Sequence, residues 1–359
     1  MTIPADSAHL LTIDDRTLGE GQDVFVIAEI GVNHDGDLPT ALRLVDAACE
    51  AGADAVKLQL FRASRLLHAA APLAQYQRDA GAADAAAMLR RYELPEPAVA
   101  RVVEAIRAAG MVPLATPFSP EDVEQVAQLG LPAVKLASPD LVNPILTDAA
   151  AALGLPMLLS TGAATEAEID WAVRRLRAAG AGFALLHCVS AYPTPAEAAG
   201  LAWIRRLAAR HGVVAGYSDH TQVTGAGALA VAAGARIIEK HLTHDRAAPG
   251  PDHSASADPR QFRDYVRAIR EAEAMLGAGE QRLHPVELDV RHVSRQSLVT
   301  RRPIRAGEPI ARADLTCQRP GTGIPVQHVD RVVGMKAGRD IPAGAMLDWF
   351  DLAQGAQAA

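Results

Sequence analysis

One unit recurs eight times along this chain: a short apolar run, a polar or charged residue where the run ends, then a stretch with helical spacing. The runs are Val24 to Ile30, Ala55 to Leu58, Val112 to Ala115, Ala133 to Leu136, Met157 to Leu159, Phe183 to Leu186, Val213 to Gly216 and Arg236 to Ile238. At or just past their ends stand Glu29 with Asn33, Lys57 with Gln59, Thr116, Lys135 with Ser138, Ser160, His187, Ser218 with Asp219 and His220, and Glu239 with His241. Strand and helix in strict alternation imply a parallel sheet, and eight such units predict an α/β fold of the (β/α)8 TIM-barrel type. Barrel enzymes keep their chemistry at the carboxyl ends of the strands. The pattern therefore yields both a fold and a set of candidate site residues.

The helical stretches carry clean stops, as in Pro39 to Glu50 before Gly52 and Glu121 to Leu129 before Gly130. One connection, from Phe61 to Leu94, is longer than a βα loop needs and contains Tyr76 and Gln77; loops of that size on a barrel's top face often cover a site. The last helix is expected over about Pro259 to Leu276, which sets the barrel domain at residues 1–276. Residues 277–291 are polar with little periodicity and read as a linker, leaving a small domain over 292–359. That tail repeats itself. Arg302, Ile304, Ala306, Gly307, Ile310, Asp314 and Leu315 recur 37 positions later as Arg339, Ile341, Ala343, Gly344, Leu347, Asp351 and Leu352. Two copies are too few for a solenoid, so a pseudosymmetric unit of short strands and turns is expected. Between the copies lies Arg319-Pro320-Gly321-Thr322-Gly323, a turn-rich loop carrying one cation.

A length of 359 residues suits a barrel plus a small domain. The net charge of −7 argues against a nucleic-acid surface, which needs clustered cations, but not against a small anion held locally. Cys49, Cys188 and Cys317 are odd in number and far apart, which suits a reducing compartment. Asp6, Asp14 and Asp15 near the start, and the lack of a long apolar run, indicate neither a signal peptide nor a membrane span. A cytoplasmic protein is expected.

Only four lysines stand against thirty-one arginines, and Lys57, Lys135 and Lys240 fall at expected strand ends. A compact point charge retained in so Arg-biased a composition suggests a phosphate or carboxylate partner; a lone rim lysine would otherwise be a solvated charge. Thr116, Ser138, Ser160 and Ser218 add hydroxyl donors at neighbouring strand ends. His220 and His241 end adjacent strands and form a candidate metal pair, with Glu29 and Asp252 near it. Two imidazoles with carboxylates and no thiolate favour a borderline divalent ion such as manganese. A lone His, by contrast, is more often structural. Asp219 orients a histidine or caps a helix; His187 and Tyr192 flank the sixth strand end; Cys188 reads as packing.

Ile27-Ala28-Glu29-Ile30-Gly31-Val32-Asn33-His34-Asp35-Gly36, Lys57-Leu58-Gln59, Gly216-Tyr217-Ser218-Asp219-His220-Thr221, Glu239-Lys240-His241 and Gly250-Pro251-Asp252-His253 resemble the sialic acid synthase family. The tail resembles that family's antifreeze-like (SAF, β-clip) domain. The resemblance implies condensation of phosphoenolpyruvate with an N-acyl hexosamine to a nonulosonic acid and phosphate. It implies that Lys57, Thr116, Lys135, Ser138, Ser160 and Ser218 hold phosphoenolpyruvate. By the same likeness His220 and His241 bind a divalent metal, manganese foremost and magnesium or cobalt next. Glu29 would position or deprotonate water, Gln59, Tyr192, Glu239 and Asp252 line the sugar end, and Ser190 is counted among the substrate-binding residues; His241 and Asp252 are also taken as catalytic. A domain-swapped homodimer follows, Arg319 reaching a partner's sugar. The chain departs from the family pattern at Asp79, Ser190 and Arg295-Gln296. Rival readings are a pseudaminic or other 3-deoxy-sugar-acid synthase, a Schiff-base lyase using Lys57 or Lys135, and a catalytically silent sugar-binding protein.

Overall fold

The computed structural model describes residues 9–68, 84–277, 279 and 281–353, and in it the eight apolar runs are the strands of one closed parallel barrel. Two short strands come first, β1 (Leu10–Ile13) and β2 (Arg16–Gly19). The barrel strands are β3 (Phe25–Glu29), β4 (Ala55–Leu60), β5 (Val112–Pro117) and β6 (Val134–Leu136). They continue as β7 (Met157–Ser160), β8 (Phe183–Cys188), β9 (Ala215–Asp219) and β10 (Ile237–His241). Closure is made by β10 alongside β3, with Ile237 opposite Phe25 and His241 opposite Glu29.

Successive side chains alternate across each strand. Phe25 and Ile27, Val112 and Leu114, Leu158, Ala184 and Leu186, and Ile237 pack together as one interior cluster. Val26, Val56, Leu58, Leu159, Leu185 and Ile238 pack instead with the surrounding helices, among them Leu44, Val102, Ile106 and Phe262. Several strands run past the ends of their apolar runs, β9 to Asp219 and β10 to His241. The ladder continues there because backbone pairing is indifferent to side-chain polarity, and the inward-facing residues turn polar where the interior opens to a cavity.

The β1–β2 hairpin had no counterpart in the sequence reading. Its Leu11, Ile13 and Leu18 join the interior cluster at the residues that begin the strands, and so close the barrel's amino-terminal end. Neither Leu10-Leu11-Thr12-Ile13 nor Arg16-Thr17-Leu18-Gly19 alternates apolar with polar residues, so no two-residue period announces them. The expected last helix is present as Pro259–Leu276, opened by a reciprocal Asp258–Gln261 capping box and burying Phe262, Tyr265, Val266 and Ile269. The long second connection contains short helices at Ala63–Leu66 and Ala85–Arg90; Tyr76, Gln77 and Asp79 lie outside the described residues.

The chain divides into two compact units, 1–278 and 279–359. A helix, Leu288–Ser294, begins inside the stretch read as an irregular linker and runs past its expected end at residue 291, with Leu288, Val290 and Val293 all exposed. It escaped notice because none of its residues is buried, so no face imposes a period. In the second unit β11 (Ser297–Thr300) pairs antiparallel with β12 (Leu315–Gln318). The sequence repeat is a structural one. Ile304 and Ile341 exchange both backbone hydrogen bonds at 2.8 Å, and Arg302 grips Asp314 as Arg339 grips Asp351. Ile304, Ile310 and Leu315 share one core with Ile341, Leu347 and Leu352.

His34, just after β3, is 2% exposed and accepts the Gly36 N–H at Nδ1, 3.1 Å away. Burial pulls its pKa from 6.5 to about 4, against the attraction of Asp35 and Asp37. A depressed histidine stabilises the fold fully above its unfolded value, and that contribution is lost as pH falls from 6.5 towards 4. The linkage is worth about 3 kcal/mol. Urea melts of wild type and His34→Asn should therefore differ in pH slope over this window, the variant losing about that much less stability on acidification. Parallel slopes would exclude His34 as an acid-sensitive group.

Candidate active site

At the carboxyl ends of the strands the inward positions turn polar: Lys57 and Gln59 on β4, Thr116 on β5, Lys135 on β6, Ser160 on β7, Ser218 on β9, Glu239 and His241 on β10. With Ser138, Ser190, Tyr192, His220 and Asp252 from the loops above, these line a cavity of about 750 Å³. Glu29, on β3 beside it, is fully buried.

One side of the cavity is a charge cluster. Lys57 Nζ donates to Thr116 Oγ1 at 2.8 Å and forms an ion pair with Glu29. Lys135 Nζ donates to Ser160 Oγ at 2.6 Å and to the Leu136 carbonyl at 3.0 Å. Glu239 Oε2 lies 3.9 Å from Lys57 and 3.8 Å from Lys135, while its Oε1 accepts from Ser218 at 3.0 Å. Burial would raise the Glu239 carboxyl, but Lys135 and Lys57 overcome it and hold the pKa at about 2. Lys57 is likewise opposed by burial and raised by Glu239 and Glu29. Lys135 goes the other way, burial outweighing its attraction to Glu239. Glu29 is raised by burial despite Lys57, with its Oε1 accepting from the Gly31 N–H at 2.6 Å and Gln59 Nε2 at 3.2 Å. An arriving dianion would meet two ammoniums and a row of hydroxyls, with carboxylates already balancing the charge in its absence.

Ser138 completes that row. Its Oγ accepts the Gly162 N–H at 2.9 Å and sits 3.4 Å from Cys188 Sγ. A Cβ on Gly162 would lie 2.4 Å from Ser190 Oγ and 2.7 Å from Cys188 Sγ, so only glycine lets these groups converge.

The other side holds the imidazoles. His220 donates from Nδ1 to the Val189 carbonyl at 2.9 Å, which leaves Nε2 as the lone-pair nitrogen. The His241 ring lies 5.5 Å from it, and Tyr192 sits over both, at 4.1 Å from His220 and 6.1 Å from His241. His241 Nδ1 is buried without a hydrogen bond, 3.7 Å from Asp252 Oδ2. Burial lowers both histidines, and it raises Asp252 to about 7 with help from Glu29. Two neutral rings side by side, one with its Nδ1 left without a hydrogen bond among the described residues, fit a borderline divalent ion. Among the described residues no three His, Cys, Asp or Glu side chains are placed to surround a metal, so any ion here would take its remaining ligands from water or substrate.

Three residues suggested by strand-end position lie elsewhere. Lys240 points outward, pairing with Asp219 at 3.2 Å and lying over the Tyr265 ring at 5.6 Å. Asp219 accepts from Tyr265 Oη at 2.9 Å and orients neither histidine. His187 turns away to the Ala199 carbonyl at 2.7 Å and stacks on Tyr217. The two-residue alternation carried the warning, since Lys240 lies between inward Glu239 and His241. Arg319 is exposed in the second unit and makes no hydrogen bond or ion pair among the described residues. Missing from the sequence reading was an apolar wall of Phe118, Ala137, Pro139, Ala191 and Pro193, residues signalled only by following strand ends; Cys188, read as packing, also lines the cavity.

The chain has relatives among known proteins along most of its length. The NeuB family profile matches residues 44–281 and the SAF domain profile residues 295–353. The chain is 36% identical to the N,N'-diacetyllegionaminic acid synthase of Legionella pneumophila, over 92% of this chain and 95% of that protein. It is 32% identical to a pseudaminic acid synthase of Campylobacter jejuni, over 91% and 96%. The crystal structure of N-acetylneuraminic acid synthetase from Leptospira borgpetersenii superposes with a TM-score of 0.71 at 32% identity, covering 79% of this chain and 95% of that one. The chain therefore belongs to the NeuB family of sialic acid synthase-type enzymes, transferases that make nonulosonic acids, and carries a SAF domain at its carboxyl-terminal end.

Proposed function

We propose that this enzyme condenses phosphoenolpyruvate with an N-acyl hexosamine, giving a nonulosonic acid of the sialic or legionaminic type and inorganic phosphate. The observation that carries the reading is one cavity in which two buried ammoniums stand beside two imidazoles, His241 with its Nδ1 left without a hydrogen bond among the described residues. Lys57, Lys135, Thr116, Ser138, Ser160 and Ser218 are the anion donors for phosphoenolpyruvate. His220 and His241 are the ligands for a divalent ion, with manganese the leading candidate ahead of magnesium and cobalt. Held there, such an ion would supply Lewis-acid polarisation of the open-chain sugar's carbonyl. C3 of the enol then bonds to that carbonyl carbon, water adds at C2, and the C2–O bond to phosphate breaks as phosphate leaves. Glu29, its pKa raised by burial, takes a proton from the water.

Gln59, Ser190, Tyr192, Glu239 and Asp252 face the sugar. The apolar wall from Phe118 to Pro193 suits acyl methyl or deoxy groups. Lys57 and Lys135, the cations among the described lining residues, are already assigned to phosphoenolpyruvate, which disfavours a sugar 6-phosphate. Lys135 is the residue a Schiff-base lyase would use, but its Nζ is committed to Ser160 and the Leu136 carbonyl. A homodimer in which the SAF unit of each copy serves the other's barrel, with Arg319 towards the sugar, is part of this proposal. The exposed apolar side chains of Leu288–Ser294 give such an assembly a surface to bury. No described helix is long and apolar enough to cross a membrane.

Phosphate release from phosphoenolpyruvate with manganese should be seen with N-acetylmannosamine or a 2,4-diacetamido-2,4,6-trideoxyhexose, and should be abolished by chelator and by His241→Ala. Release that survives both treatments would remove the metal assignment. Replacing Glu239 by Gln removes the carboxylate that competes with an anion for the two ammoniums. Inorganic phosphate should then bind about tenfold tighter by calorimetry, one charge a few Å away being worth on the order of 1–2 kcal/mol. Weaker binding would mean that Glu239 holds the lysines in place rather than competing with the ligand.

A further inference from the structure

The two motifs that flank the barrel's closure, Asn33-His34-Asp35 after β3 and Gly250-Pro251-Asp252-His253 after β10, are more than 200 residues apart and form one structure. The loop carrying Asp252 leaves the barrel after His241 and returns at Ala257, its neck closed by hydrogen bonds from Ala257 N to the His241 carbonyl and from Thr243 N to the Ala257 carbonyl, both 2.9 Å. Asp252 lies near the far turn, where nothing in the neck fixes its direction.

Two connections do. On one side the Asp252 carbonyl accepts from Ser256 Oγ at 2.6 Å, and Ser256 Oγ accepts from Asn33 Nδ2 at 2.8 Å, which also reaches the Leu242 carbonyl at 3.0 Å. On the other side His253, fully buried, donates from Nε2 to Asp35 Oδ1 at 3.0 Å and presents Nδ1 to the Thr243 hydroxyl at 2.6 Å. Gly250 lies against the ring, since a Cβ there would come within 2.6 Å of His253 Cδ2. The segment bearing Asn33 and Asp35 includes left-handed residues at Val32, φ 56°, and Asp35, φ 57°. A β-branched residue holds such a conformation only where its surroundings over-determine it.

The Asp–His–Thr sequence of contacts has the form of a nucleophile relay, but Thr243 is fully buried and also accepts the Asp245 N–H at 3.2 Å, so no substrate reaches it. We propose that Asn33, Asp35 and His253 form a latch that aims the Asp252 carboxylate at the sugar end of the cavity beside His241. They are positioning residues for the reaction, and the inference rests on the reading of Asp252 as a sugar-facing group.

The test is a double-mutant cycle on the full-length enzyme with steady-state kinetics. Asp35→Ala is expected to lower kcat by about 10-fold to 100-fold, the scale of a misaimed catalytic constellation, with little change in the KM for phosphoenolpyruvate. Asp35→Asn, which keeps an acceptor for His253, should restore most of it. On an Asp252→Asn background the effect of Asp35→Ala should vanish. Full additivity on that background, or Asp35→Ala at wild-type kcat, would overturn the latch. His253→Asn repeats the test from the opposite partner; should it fail to fold, the Asp35 pair still decides. Hydrogen exchange separates the two ideas. Faster exchange at residues 250–256 in Asp35→Ala supports the latch, and unchanged exchange overturns it, whereas a fully active Asp252→Asn would refute only the role of Asp252.

Discussion

Closure of the barrel is the constraint on which the rest depends. β3 and β10 pair in register from Phe25 with Ile237 to Glu29 with His241, joining residues separated by almost the whole first unit. The entropy of closing so long a loop is met by packing around the full ring, with an apolar interior layer inside and helices outside. The Leu242 N–H reaches the Glu29 carbonyl at 2.8 Å, so the loops after the first and last barrel strands become neighbours. Glu29 beside His241, and Asp35 against His253, are consequences of that single seam.

Within the ring, the charge cluster is arranged by what burial forbids. Lys57, Lys135, Glu29 and Glu239 are each at most 4% exposed, and an isolated charge there would be strongly penalised. Each is tolerated because an opposite charge or a hydroxyl from a neighbouring strand faces it. Such a cluster is weak evidence for stability, since an apolar core of equal volume would do as well. Its presence above the apolar layer marks the place where the packed interior gives way to the cavity. The imidazole side follows the same logic in reverse: burial keeps both rings neutral, which is the state in which a nitrogen can accept a metal.

The second unit builds its small core by repetition. Each half of the repeat contributes an arginine–carboxylate pair and apolar residues at matching positions. The halves meet at the reciprocal Ile304–Ile341 hydrogen bonds, so one short sequence pattern serves twice.

Much of this was legible in advance. The eight strands showed as apolar runs, the helix Pro259–Leu276 as the last helical stretch before the change in composition at Gly277, and the pseudosymmetric unit as seven matched residues at one spacing. What escaped was anything without a local period: the hairpin that closes the barrel floor, the exposed helix Leu288–Ser294, and the apolar wall from Phe118 to Pro193. Lys240 shows the boundary between the two kinds of knowledge. Its position at a strand end suggested an anion site, yet alternation turns it to the outer face, against Asp219 and Tyr265. The sequence by itself determined which residues form strands and which end them, because side-chain period and helix capping act over a few neighbours. Only the tertiary structure decided that Glu239 stands between Lys57 and Lys135 and that Asp35 meets His253, because those distances depend on inter-strand register and ring closure, which no local stretch of chain encodes.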